Sequence, residues 1–306
     1  MPVRNLGYAC VNMTLGDIKP ASKRVFTDRT LRMDGFSLRR VSELALKNAK
    51  DLVRVMEWNA ENGIRFFRVG SGILPFGDHP TLGYSVSELD DHETIASVMG
   101  RAGKIARENN IRLSMHPGPY TCLASPSDDV VAKSIKCLVM HSVIGDLLGM
   151  GCDFPINIHM GGTYGDKPAA AARWIAAYES LPPDVRCRIT LENDDKTSMW
   201  SIHDLMSVHE GCGVPLVIDI HHHNLHDGGR SLADAASMAF STWDGDRIPK
   251  VHYSEPRSSD IPQAHADWVD REIPSLCEHR IYDVMIEAKQ KERALLRYLN
   301  GRRPRA

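Results

Sequence analysis

Between residues 154 and 219 the chain reads FPINIH (154–159), RITLE (188–192) and PLVID (215–219). Each run is short and largely apolar, and each ends on a side chain able to bind a divalent metal: His159, Glu192 and Asp219. Five further runs share the form. NLGYACVN ends on Asn12, RFFRVGS on Ser71, IRLSMH on His116, KVH on His252 and DVMIE on Glu287. Such runs read as strands buried on both faces of a parallel sheet. Eight of them ending on polar residues, most able to bind a metal, point to an α/β TIM (β/α)8 barrel, with a metal cluster at the C-terminal face of the strands. A doubly wound open sheet is the competing architecture.

The segments between the runs carry helical patterns. Residues 38–62 place Leu44, Leu52, Val53 and Met56 close to one stripe, and Gly63 follows where a helix C-cap belongs. Helices are also predicted over 90–109, 128–148, 168–180, 201–210 and 230–242, with a basic helix near the C-terminus. Asp128-Asp129 suits a positive helix N-terminus, and Pro168 suits a first helical turn. No G-x-G-x-x-G follows the first strand and no Walker A sequence occurs, so no nucleotide cofactor is expected. The irregular stretches 13–37, 71–89 and 254–280 are the natural substrate-contacting loops, because loops after barrel strands lie on the catalytic face.

Length and composition agree. A chain of 306 residues suits one barrel spanning 1–306, with a short basic, solvated tail over about 301–306. A net charge of −2 is not the strongly basic balance of a nucleic-acid binder. A polyanionic substrate would therefore have to be drawn by bound cations and local basic groups. The seven cysteines are odd in number and include no C-x-x-C pair, which predicts neither a disulfide framework nor a thiolate zinc site, and a reducing compartment. The first residues lack an apolar leader pattern and no 18-residue apolar run occurs, so no membrane association is expected. A cytoplasmic monomer is the resulting expectation.

Chemistry concentrates at the strand ends. A lone carboxylate beside an apolar barrel core is costly unless paired or metal-bound, and Glu192, Asp219 and Glu287 supply three. His116, His159 and His252 occupy matching positions in other units. In Asp219-Ile220-His221-His222-His223, a carboxylate and an imidazole three residues apart, where the chain turns, can both face the barrel mouth. Lys250 lies two residues before His252 on the same side of the strand, where a protonated amine would repel cations. It is read as a neutral amine, a phosphate contact or a modified, anionic lysine. Mixed imidazole and carboxylate donors suit zinc, manganese, iron or cobalt better than calcium. The donors are too many for one ion and enough for two or three, and clustered metals suit phosphodiester hydrolysis.

At this level of detail the chain resembles the UV damage endonucleases. The resemblance is carried, in order, by LGYACVN, WNAENGIRFFRVGS, GDHP, IRLSMHPGPY, INIHMGG, ITLENDDK, VIDIHHH, KVHYS, QAHADW and DVMIEAKQKE. It implies a TIM barrel related to endonuclease IV. It further implies incision immediately 5′ of UV photoproducts, and of some other lesions such as abasic sites, in double-stranded DNA, acting at the nucleoid. The implied cofactor is two or three divalent cations, Mn2+ first, with Zn2+ or Co2+ as substitutes. Position by position, Glu192, Asp219, His252 and Glu287 would surround one ion. His116, His159 and the shared Glu192 would hold a second, and His222 with His265 a third. His79 of GDHP matches a histidine near the cluster. Lys250 matches a lysine that can be carboxylated. Glu192, Lys250 and His222 are the expected catalytic residues. Tyr8 and Asn12 match residues lining the lesion pocket, and Pro119-Tyr120 falls where the family carries a Gln-Tyr wedge. Tyr120 can still stack on a base, but Pro119 has no side-chain amide and stiffens the loop, which bears on lesion range. Two rival functions fit the same pattern: a metal-dependent sugar isomerase or epimerase on this barrel, and a DNA-damage-binding protein that does not cleave.

Overall fold

The computed structural model describes residues 3–16, 36–79 and 81–301. Most of the irregular stretch 13–37 and the tail after residue 301 lie outside the described residues. Eight strands alternate with helices. The strands are β1 (Val3–Ala9), β2 (Phe66–Arg68), β3 (Arg112–Ser114), β4 (Ile156–His159), β5 (Ile189–Glu192), β6 (Leu216–Asp219), β7 (Lys250–Tyr253) and β8 (Tyr282–Ile286). The helices are α1 (Leu38–Glu61), α2 (His92–Glu108), α3 (Asp128–Leu147), α4 (Lys167–Glu179), α5 (Pro183–Arg186), α6 (Ile202–Cys212), α7 (Ile220–Leu225), α8 (Leu232–Ser241) and α9 (Lys291–Asn300).

All ladders are parallel, in the order β3-β2-β1-β8-β7-β6-β5-β4. The ring closes just past β3. Met115 bridges Ile156, its N–H donating to Pro155 O at 2.9 Å and its carbonyl accepting from Asn157 N at 3.0 Å. The fold is a TIM barrel, as the sequence predicts. Gly7 permits the close approach of β1 to β2, since a Cβ there would lie 2.4 Å from Phe66 O. Gly63 ends the first long helix at φ +70°, a conformation glycine adopts without a Cβ penalty.

Strand residues alternate between two environments. Ile156, Ile158, Ile189, Leu191, Leu216, Ile218, Val251, Tyr253, Val284 and Ile286 join the apolar layer under the helices, with Trp174 and Leu205. The intervening residues, including Asn157, Thr190, Lys250 and Asp283, face the barrel interior and are fully buried. Near the N-terminal end of the strands, Asp283 accepts from Arg4 Nε at 2.9 Å and from Arg112 Nη1 at 3.0 Å. Ala9, Phe66 and Met285 form a small separate cluster above it. The barrel interior is thus a polar column interrupted by one apolar layer.

One expectation is corrected. Cys152 and Cys187 form a disulfide, with Cα atoms 5.3 Å apart. Their 35-residue separation carries no local motif. They meet because the loops entering the adjacent strands β4 and β5 start at the same end of the barrel. The other five cysteines are free. Among the described residues no helix is long and apolar enough to cross a membrane.

Candidate metal centre

Register brings the ligand-type residues together. His159 pairs with Glu192 across β4–β5, and Asp219 pairs with His252 across β6–β7. His116 lies just past the closing bridge at Met115. Glu287 directly follows β8, its N–H donating to Tyr253 O at 2.9 Å. Asp219 caps the short helix α7: its Oδ1 accepts from His222 N at 3.0 Å, which turns His222 back over the strand end. Asn193 clamps that corner, accepting from Asp219 N at 2.8 Å and donating to Asp219 O at 3.1 Å.

Among the described residues three donor groups result: His116, His159 and Glu192; Glu192, Asp219 and His222; and Asp219, His252 and Glu287. Within each, the ligand atoms lie within 4.8 Å of one another. Glu192 is the hub. Its Oε2 stands 3.0 Å from His252 Nδ1 and 3.4 Å from His116 Nε2, and its Oε1 3.6 Å from His222 Nδ1. His252 Nδ1 also lies 3.2 Å from Glu287 Oε1. The imidazole rings of His252, His116, His159 and His222 follow one another with centroids 5.3–5.8 Å apart.

The donor set fits divalent cations. It mixes imidazole with carboxylate, the combination that suits zinc, manganese or cobalt. Several of its buried atoms have no hydrogen-bond partner, among them Asp219 Oδ2, His252 Nε2 and His116 Nδ1. Unbonded buried polar atoms are costly, and cations would satisfy them.

The charge states suit the same purpose. Burial alone would raise the Glu192 carboxyl, but His252, His159 and the hydrogen bonds from His116 and His252 hold it well below the usual carboxylate range. Glu287 is likewise held low against burial, chiefly by Arg68, whose Nη1 donates to its Oε1, and by His252. Burial opposes protonation of His222, yet Asp219 and Glu192 raise it to about 9. At His116 burial prevails over Glu192 and lowers the imidazole to about 4. Lys250 is fully buried, and its Nζ has no hydrogen-bond partner. Burial and the neighbouring Arg68 lower it to about 7.

Seven sequence-predicted residues therefore converge: His116, His159, Glu192, Asp219, His222, His252 and Glu287. Two others stand apart from the three groups. His79 uses its Nδ1 to accept from Thr81 N at 3.3 Å and Leu82 N at 3.1 Å. His265 packs on His221, with ring centroids 5.5 Å apart, and its Nδ1 has no partner. Tyr8 and Asn12 are sealed from solvent: Tyr8 donates to Asn59 Oδ1 at 2.8 Å, and Asn12 donates to the Tyr8 hydroxyl at 3.0 Å. Tyr120 is 75% exposed. With His79, Phe76 and Asp78 it lines a pocket of about 590 Å³. Gly118 lets the Tyr120 ring fold close over the Pro119 loop, since a Cβ there would lie 2.5 Å from the ring.

Sequence reasoning missed four contributors. Arg68 reaches Glu287, Asn157 reaches Glu192, Asn193 holds Asp219, and Asp194 Oδ1 stands 3.0 Å from His159 Nδ1. The available clue was alternation: Arg68 and Asn157 share the inward phase of their strands with the strand-end ligands.

Comparison with known proteins places this chain in a family. The sequence model described as UV-endonuclease UvdE matches residues 4–303. The UV-damage endonuclease of Schizosaccharomyces pombe is 37% identical over 310 residues, covering 95% of this chain and 49% of that protein. The UV DNA damage endonuclease of Bacillus cereus (strain G9842) is 30% identical over 305 residues, covering 97% of this chain and 94% of that protein. The chain thus spans about half the length of the first relative and nearly all of the second. The crystal structure of SacUVDE superposes with a TM-score of 0.77 at 30% identity, covering 97% of this chain and 99% of that one. The chain belongs to the UV-endonuclease UvdE family.

Proposed function

We infer that this protein is a DNA repair endonuclease that hydrolyses the phosphodiester immediately 5′ of UV photoproducts, and of abasic sites, in double-stranded DNA. The observation that carries the reading is the shared position of Glu192 in two adjacent donor groups at the open end of the barrel. Two or three cations fit this donor count, with Mn2+ preferred over Zn2+ or Co2+. His116 and His159 with Glu192 would hold one, and Asp219, His252 and Glu287 another. His222 borders both, and His265 is the candidate for a third. When bound, such cations supply Lewis acidity toward phosphate and make water a stronger acid.

The chain's own groups supply the rest. Glu192 and Glu287 remain anionic and set the charge of the mouth, which offsets the near-neutral charge of the whole chain toward a polyanion once cations are present. Lys250 Nζ exchanges its proton near neutral pH. Its neutral form is also the one that adds carbon dioxide to become an anionic carbamate. Tyr120 offers its exposed ring to an unstacked base, where stacking contributes about 1–3 kcal/mol. Pro119 adds rigidity without a hydrogen-bond donor. Tyr8 turns toward α1, donating to Asn59, and Asn12 is buried against its hydroxyl, so the expected lesion-pocket lining is corrected to a supporting place in the core. A damaged base is cheaper to unstack than an intact pair, which is one source of selectivity.

The test is a product-end analysis. Duplexes with one photoproduct, one abasic site or no lesion are incubated with the protein and Mn2+. The reading predicts a nick 5′ of each lesion with a 3′-hydroxyl end. An intact photoproduct duplex overturns it. Turnover of free ketoses instead would establish the epimerase reading.

A further inference from the structure

Beneath the ligand rung His159–Glu192 lies a second rung. Asn157 and Thr190 face each other in the β4–β5 register, two residues earlier on each strand. Both are fully buried. Thr190 Oγ1 donates to Asn157 Oδ1 at 2.9 Å, and Asn157 Nδ2 donates to Glu192 Oε2. This chain of bonds fixes the amide. Turned over, it would set Oδ1 against a carboxylate, two acceptors face to face.

The consequence falls on the hub. Oε2, the oxygen that Asn157 contacts, faces His116, Oε1 faces His222, and His252 Nδ1 lies between them at 3.0 Å from Oε2 and 3.1 Å from Oε1. We propose that Asn157, aimed by Thr190, is a positioning residue that keeps Glu192 a bridge between two cation sites. Its N–H occupies one lone-pair direction of Oε2 and stops the carboxylate from turning both oxygens onto a single ion. Each donor group then receives one oxygen. Val217, registered to Glu192 on β6, and Met285, registered to His252 on β8, bring no hydrogen-bonding side chain to the hub. The proposal rests on the reading of the mouth as a site for at least two cations.

The experiment uses the full chain and Mn2+ as the ligand. Calorimetric titration gives the number and affinity of ions in the wild type, Asn157→Leu, Thr190→Val and Thr190→Ser. Electron paramagnetic resonance reports whether two bound Mn2+ ions are exchange-coupled. The expected result is two coupled ions in the wild type and in Thr190→Ser, which keeps the hydroxyl. Asn157→Leu and Thr190→Val should weaken the second ion by about 10- to 100-fold, the usual effect of removing an outer partner of a ligand. The coupled spectrum should be lost with it. Nicking by these variants should fall in kcat with KM for the duplex unchanged. If Asn157→Leu does not fold, the Thr190→Val and Thr190→Ser pair decides alone. Wild-type affinities and coupling in the folded variants overturn the proposal while leaving the metal centre standing. Failure of the wild type to bind a second ion overturns the underlying reading as well.

Discussion

His252 Nδ1 stands 3.0 Å from Glu192 Oε2, although 60 residues of chain separate them. They meet across the intervening β6 of a parallel sheet, where Glu192 is registered to Val217 and His252 to Asp219, two residues further on. Around this contact the other ligand-type groups assemble, and Glu192 and Asp219 become the two carboxylates that each belong to two of the three donor groups.

Metal uptake should compete with a proton at His222. Asp219 and Glu192 raise that imidazole to about 9 despite burial, and a ring nitrogen must shed its proton to bind a cation. Below that value binding displaces a proton; above it, none. Mn2+ affinity at this group should rise roughly tenfold per pH unit between pH 7 and 9 and then level off. Calorimetry in buffers of different ionisation enthalpy measures both the affinity and the proton release. A flat profile over that range would contradict the assignment.

Lys250 works against folding. Its folded-state value of about 7 lies below the ordinary 10.5, so the unfolded chain holds a proton that the folded chain resists. The penalty is full below pH 7 and fades as pH rises to 10.5. Lys250→Met should therefore stabilise the fold by about 1–4 kcal/mol at pH 6 and progressively less toward pH 10.5. Its nicking should drop sharply while duplex binding persists. Urea unfolding at several pH values, paired with a nicking assay, checks both parts.

The Cys152–Cys187 bridge ties the loops entering β4 and β5, at the end of the barrel away from the ligand rungs. Replacing both cysteines with serine should cost about 3–4 kcal/mol, the loop-closure value for such a separation. The nicking rate at a temperature where both forms are folded should not change. A large fall in rate there would mean the bridge also shapes the mouth.

Tyr120 is exposed and lies outside the three donor groups. Tyr120→Ala should weaken binding to a photoproduct duplex by about tenfold or more, the loss of one stacked base. Mn2+ affinity should be unchanged. Fluorescence anisotropy with a labelled duplex gives the first quantity and calorimetry the second. Equal affinities for damaged DNA in the two proteins would remove Tyr120 from lesion recognition.

Much of this was legible because strand ends announce themselves: an apolar run closing on His159, Glu192 or Asp219 combines a fold signal with a chemical one. Helix limits also came close, since Gly63, Pro168 and Asp128 lie within two residues of the caps Asn62, Asp166 and Ser127. The inner face was harder to read. In ITLE and INIH the polar Thr190 and Asn157 look like minor interruptions of an apolar run, yet alternation turns them toward the ligands. The disulfide left no trace in spacing, because barrel geometry alone joins Cys152 to Cys187. His79 and His265 entered only through family resemblance. In the structure both lie outside the barrel strands, His265 on an isolated antiparallel bridge to Pro256, so the parallel register that aims the strand-end ligands does not reach them.

The central claim, that a cluster organised by Glu192 cuts damaged DNA, meets its most direct test in single-turnover nicking of a photoproduct duplex with Mn2+. Wild-type protein and Glu192→Gln are compared on the same substrate. The account predicts a nick 5′ of the lesion by the wild type, and no detectable nick by Glu192→Gln, which still binds the duplex. Nicking by Glu192→Gln at the wild-type rate would contradict it.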